Sequence, residues 1–211
     1  MRPAIFFLCY LVTAVWAAAA ERPFAVTVYC GASRDTAEGY RREARKLGEE
    51  LGRRGWTLVY GGGRTGSMGE VASGAKAAGG RVESVLPRFL ERPSVVFPEA
   101  DELVVVETMA ARKAELQRRA DAFVILPGGF GTLDEFADTL ELARFGLQRK
   151  PIYLLNQGGY FDALLAFFDR VASEGFARDD DAVPFVVVAT VEELVERLAG
   201  DRTVRVADEN S

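Results

Sequence analysis

Three times along the chain a short apolar run ends in glycine and a helix-forming segment follows. Phe24 to Cys30 runs into Gly31-Ala32-Ser33, Trp56 to Tyr60 into Gly61-Gly62-Gly63, and Ala122 to Leu126 into Pro127-Gly128-Gly129. Apolar runs of this kind fill strands buried on both faces, as parallel strands are. Further strands are predicted at Arg81 to Leu86, Glu102 to Val106, Pro151 to Leu155 and Val183 to Ala189. Between them lie helical patterns over Tyr40 to Arg53, Val71 to Ala78, Glu107 to Arg119, Thr132 to Phe145, Tyr160 to Val171 and Val191 to Leu198. Strands alternating with helices and no hairpin signal specify an α/β chain: a parallel sheet of about seven strands with helices on both faces.

Ligands of such sheets bind outside the carboxyl ends of the strands, and all three glycine turns fall at that edge. The turn after Leu126 is the richest. Gly128, Gly129 and Gly131 let a backbone approach a ligand closely, and a helix opening there would aim its free amides into the turn as an anion cradle. Thr132 and Glu135 have the T-x-x-E spacing of a capping box, and so do Ser67 and Glu70 after the Gly61 turn in S-x-x-E form. Read alone, Glu135 is a capping carboxylate; a matching feature elsewhere is needed to make it a catalytic one.

Composition narrows the chemistry. The 211 residues carry a formal charge of -5 with a pI near 5.0, which argues against a nucleic-acid surface and makes any phosphate recognition local. There is no histidine, so histidine-based triads and histidine zinc sites are excluded, and neither a metal nor a cofactor is expected. Residues 1–20 combine Arg2, an apolar stretch from Ala4 to Trp16 and Ala17-Ala18-Ala19-Ala20, the layout of a cleavable secretory signal. Cleavage would leave Cys30 as the one cysteine and no stable membrane partner. The protein is then exported, or cytoplasmic if that segment is not a signal. Residues 21–200 read as one domain and 201–211 as a polar, frayed tail.

Gly61, Gly63 and Gly66 satisfy G-x-G-x-x-G after a strand, so a dinucleotide-binding oxidoreductase is one reading. It requires a ribose-binding acid near the end of the next strand, but that strand ends Val85-Leu86-Pro87 with Glu83 in its middle. Nor does any G-K-[ST] follow, as a P-loop would need.

Joined together, three segments resemble the LOG family of cytokinin riboside 5'-monophosphate phosphoribohydrolases, also labelled lysine decarboxylase-like. They are Tyr60-Gly61-Gly62-Gly63-x-x-Gly66-x-Met68-Gly69, Met109-x-x-Arg112-Lys113, and Pro127-Gly128-Gly129-x-Gly131-Thr132-x-x-Glu135. The resemblance extends over Phe24 to Phe176 and takes in Cys30-Gly31-Ala32-Ser33 and Asn156-x-x-Gly159-Tyr160-Phe161. It implies a Rossmann-like, doubly wound homodimer that hydrolyses the N-glycosidic bond of a purine nucleoside 5'-monophosphate to free base and ribose 5-phosphate. By matching position, the catalytic pair falls on Arg112 and Glu135. Binding contacts fall on Ser33, Gly61, Gly62, Gly63, Met109, Lys113, Gly128, Gly129, Gly131 and Thr132. Of the adjacent Arg112 and Lys113, only one easily faces a cleft.

The residue types suit that reaction. Glycosidic cleavage builds positive charge on the sugar, which a carboxylate stabilises while orienting or deprotonating water. Arg112, by itself a solvated helix charge, offers a planar fork for phosphate, ribose or Glu135. Ala110 stands where the family commonly has histidine, which leaves an AMP-like substrate beside a cytokinin one. Nothing marks a pyridoxal lysine. A non-catalytic nucleotide or cofactor carrier on the same fold is the alternative.

Overall fold

A computed structural model describes residues 22–177 and 185–209; the signal-like residues 1–20 lie outside them. The strands are β1 (Ala25–Tyr29), β2 (Thr57–Tyr60), β3 (Val82–Pro87), β4 (Glu102–Val106), β5 (Ala122–Ile125), β6 (Ile152–Leu155) and β7 (Val186–Val188). The helices are α1 (Glu38–Arg53), α2 (Gly66–Ala77), α3 (Met109–Arg119), α4 (Phe130–Arg144), α5 (Asp162–Ser173) and α6 (Val191–Glu209). The seven strands form one sheet in the order β4-β3-β2-β1-β5-β6-β7, every neighbouring pair parallel. This is the doubly wound Rossmann-like sheet that the apolar runs specify.

The strand order reverses at β1. Its partners are β2 on one side and β5 on the other, with Val28 beside Tyr60 and beside Val124. A crevice opens at such a reversal, because the loops after the two central strands leave toward opposite faces. One face is covered by α1, α2 and α6 through Leu47, Leu51, Val71, Ala75, Leu194 and Leu198. The other is covered by α3, α4 and α5 through Leu116, Phe136 and Leu164. Of the five β1 residues, Val26 and Val28 join one cluster and Ala25 and Tyr29 the other, as alternating side chains of a strand buried on both faces must.

Two local expectations are overturned. The capping boxes do not form: α4 has Gly129 as N-cap and α2 has Thr65, neither with a side-chain cap. Thr132 and Ser67 lie inside the first turns and are buried. Glu70 pairs instead with Arg45 of α1 at 3.1 Å. By contrast α3, which no capping pattern announced, is capped by Thr108, whose hydroxyl accepts the Ala111 amide at 3.1 Å. The polar segment after Gly200 is not frayed from its start, because α6 continues through it to Glu209.

A candidate nucleotide-binding active site at the strand reversal

A cleft of about 530 Å³ lies at the carboxyl ends of β1 and β5. Its lining includes Ser33 from the β1 loop, Gly128, Gly129, Gly131 and Thr132 from the β5 turn, and Arg112 and Glu135 from α3 and α4. The two loops meet backbone to backbone: a side chain at Gly128 would place its first carbon 3.0 Å from the Gly31 amide nitrogen and 2.1 Å from Thr132 Oγ1. Only glycine leaves room there for the threonine hydroxyl.

Because Gly129 caps α4 without a side chain, the amides of Phe130, Gly131 and Thr132 have no partner within their own helix. They form the positive end of a fifteen-residue helix at the cleft. That explains the failed capping box: a helix whose amides are to receive a ligand is better left uncapped by its own side chains.

Freed from capping, Glu135 turns inward. Its Oε1 lies 2.7 Å from Nη1 of Arg112, and the two side chains are only 3% and 6% exposed. The guanidinium is held from behind, with Nε donating to the Val85 carbonyl at 3.2 Å. Burial holds the Glu135 carboxyl above the ordinary glutamate range, against the opposing pull of Arg112 beside it. Behind the carboxylate, the Glu135 carbonyl accepts the Thr139 hydroxyl at 2.8 Å, and Thr139 lies 3.1 Å from the Tyr29 hydroxyl. The first turns of α4 are therefore locked from the core side.

Other expected contacts are not brought to the cleft. Gly61, Gly62 and Gly63 do not line it. They sit one level below, where a side chain at Gly61 would come within 2.1 Å of Arg112 Nη2 and one at Gly63 within 2.9 Å of Met68 Sδ. Their loop supports the β1 loop, with Thr65 Oγ1 donating to the Ala32 carbonyl at 2.7 Å and the Met68 amide to Gly31 at 3.0 Å. Met109 is solvent-exposed at the start of α3 and outside the lining. Lys113 also points elsewhere and ties α3 to α4 through Asp134 and Asp138, both at 3.0 Å. Helix geometry explains the division, since adjacent positions diverge by about 100° and the cleft takes only Arg112.

Several lining residues escaped the sequence: Met68, Thr36, Tyr40 and Tyr160. Tyr160 follows a glycine turn at the carboxyl end of β6, the same signal that marked the other loops. Tyr40 carries none, being one apolar position of an amphipathic helix. Among the described residues, β3 ends at Leu86-Pro87, so the acid that a dinucleotide site needs is not at the end of that strand. Glu83 lies near the amino end of β3 and pairs with Arg119 at 2.5 Å and Arg81 at 2.9 Å.

A family model described as "Possible lysine decarboxylase" matches residues 68–198. The chain is 43% identical over 173 residues, 82% of its length, to the probable cytokinin riboside 5'-monophosphate phosphoribohydrolase LOGL9 of Oryza sativa subsp. japonica, covering 76% of that protein. The chain belongs to the LOG family. LOG5 of Arabidopsis thaliana, a cytokinin riboside 5'-monophosphate phosphoribohydrolase, is 38% identical over 85% of this chain and 78% of its own. The molybdenum cofactor carrier protein of Chlamydomonas reinhardtii, a solved structure, is 28% identical with a TM-score of 0.66, covering 85% of this chain and 98% of the other. Membership of the LOG family thus comes with a sheet that has also been used to carry a cofactor. No lysine is among the residues that line the described cleft.

Proposed function

We propose that the protein hydrolyses the N-glycosidic bond of purine nucleoside 5'-monophosphates, cytokinin- or AMP-like, releasing free base and ribose 5-phosphate. One observation carries the reading: a buried carboxylate, Glu135, paired with Arg112 at 2.7 Å beside an uncapped helix start. The phosphate is placed against the α4 amides, where the helix end favours an anion. That sets the ribose over Glu135, with Thr132 and Ser33 within the same lining. As the bond to the base breaks, charge on the sugar ring is stabilised by the Glu135 carboxylate, which also orients the attacking water and accepts its proton. Arg112 opposes the burial that disfavours the ionised carboxylate, and its charge beside Oε1 fixes where that carboxylate points.

The deciding experiment is to incubate the protein with AMP and with isopentenyladenosine monophosphate and to measure free base. Release of base with either is the expected result, and no release from any purine monophosphate would sink the reading. A carrier function has the molybdenum cofactor carrier as its structural support. It would show as tight binding of a ligand recovered intact. The buried carboxylate counts against it, since a pure anion carrier has no use for a negative charge beside its ligand.

Lys113 is assigned no substrate contact in this reading. Lys113→Ala is expected to change KM by less than about twofold while costing at most about 1 kcal/mol of stability through its lost ion pairs. Steady-state kinetics with a thermal melt check both; a large rise in KM would return Lys113 to the site.

The LOG resemblance further supports a homodimer. Phe89, Met109 and Phe130, which follow β3, β4 and β5 in the chain, are exposed, Phe130 to 92%. Exposed apolar side chains of this kind are what a subunit interface covers. Light scattering is expected to give the mass of two chains.

A further inference from the structure

The segment Asn156-Gln157-Gly158-Gly159-Tyr160-Phe161, at the carboxyl end of β6, has no part in the chemistry above. Its turn is nevertheless closely fixed. Asn156 Oδ1 accepts the Phe161 amide at 2.8 Å, and its Nδ2 donates to Asp162 Oδ1 at 2.7 Å. The turn sends Tyr160 back to the β5 loop, where its hydroxyl donates to the Gly128 carbonyl at 2.7 Å. The ring is gripped edge-on by Tyr40 of α1, 5.3 Å away at 71°, and by Phe161, 4.9 Å away at 89°. Both Tyr40 and Tyr160 line the cleft.

The Gly128 carbonyl and the Gly129 amide belong to one planar peptide unit, so holding the oxygen also fixes the direction of the N–H. This peptide lies between two glycines, whose backbones rotate more freely than any others, and it leads directly into the uncapped start of α4. Among the described residues, the Tyr160 hydroxyl is the one side chain that hydrogen-bonds to it. We infer that Tyr160 is a positioning residue that holds the Gly128–Gly129 peptide in the orientation that receives the phosphate of the substrate. The inference rests on the proposed nucleotide site and adds to it a residue that acts through the backbone of the anion cradle.

Tyr160→Phe tests it, because the ring stays packed between Tyr40 and Phe161 while the tether is lost. The KM for AMP is expected to rise about three- to tenfold, the worth of one hydrogen bond, with kcat changed by less than about twofold. The dissociation constant of ribose 5-phosphate, measured by calorimetry on the full chain, should rise by the same factor. Binding of free adenine, which has no phosphate, should stay as it was. A role confined to stability would lower the melting temperature and leave both constants unchanged. If the unsubstituted protein hydrolyses AMP and Tyr160→Phe matches it in KM and in ribose 5-phosphate affinity, the tether is refuted and the site reading stands. If the unsubstituted protein binds no ribose 5-phosphate and releases no base, the site reading fails and the inference falls with it.

Discussion

Glu135→Gln is expected to lower turnover of a purine nucleoside monophosphate by about 10²- to 10⁴-fold, the range for removing a positioned acid–base group, while nucleotide binding is retained. The amide keeps the size and one acceptor oxygen for Arg112 but carries no charge to stabilise the sugar cation and takes no proton from water. Rapid-quench measurement of base release together with calorimetric binding separates the two effects. A Gln variant with full turnover would refute the role given to Glu135.

The same carboxyl sets the pH dependence. In the proposed mechanism the ionised form is the active one; because burial raises the pKa, activity is expected to be lost as pH falls through a value above the ordinary glutamate range. Stability runs the other way. A carboxyl whose folded pKa is raised binds more protons in the folded state than in the unfolded state, so its contribution weakens as pH rises through that same window. The acid side of the activity profile is therefore expected where this group stabilises the fold most.

The second large effect is expected one level below the cleft. At Gly61, the methyl of Gly61→Ala would lie 2.1 Å from Arg112 Nη2 and 3.0 Å from Met68 Cε. The guanidinium has little room to yield, being tied to the Val85 carbonyl behind and Glu135 in front. A displacement of about 1 Å at a catalytic constellation costs on the order of a hundredfold in rate. Separating a buried pair adds a stability loss of about 3 kcal/mol or more. Gly63→Ala is the comparison: its methyl meets the flexible end of Met68, and activity should be largely kept. If the loop cradled phosphate directly, both substitutions would instead raise KM alike.

The strands were legible because every one of the central runs is buried on both faces, and burial of that kind writes itself into sequence as unbroken apolar stretches. The starts of α2 and α4 were misread for a physical reason. The capping rule assumes that a helix satisfies its first amides with its own side chains, and α4 leaves them open at the cleft. The Gly61 loop lies outside the cleft lining, and glycine shows that something approaches closely without saying what; at Gly61 the nearest group is the protein's own arginine. Arg112 and Glu135 stand 23 positions apart on different helices, so no local pattern joins them, and their pairing was anticipated through family resemblance alone. Tyr40 and Tyr160 carry even less, since an aromatic on an amphipathic helix or beside a turn reads as packing until its contacts are known.

The order of the strands also divides the site between two halves of the sheet. Arg112 rests on the β2–β3 side of the sheet, against Val85 and Gly61, whereas Glu135 comes from the helix after β5, on the other side of β1. Neither βαβ half contains the ion pair by itself: one holds the cation and its seat, the other the acid and the open helix end. The chemistry proposed for the site therefore draws on both halves of the sheet at once, and a change that shifts one half against the other would part the acid from its cation without touching either residue.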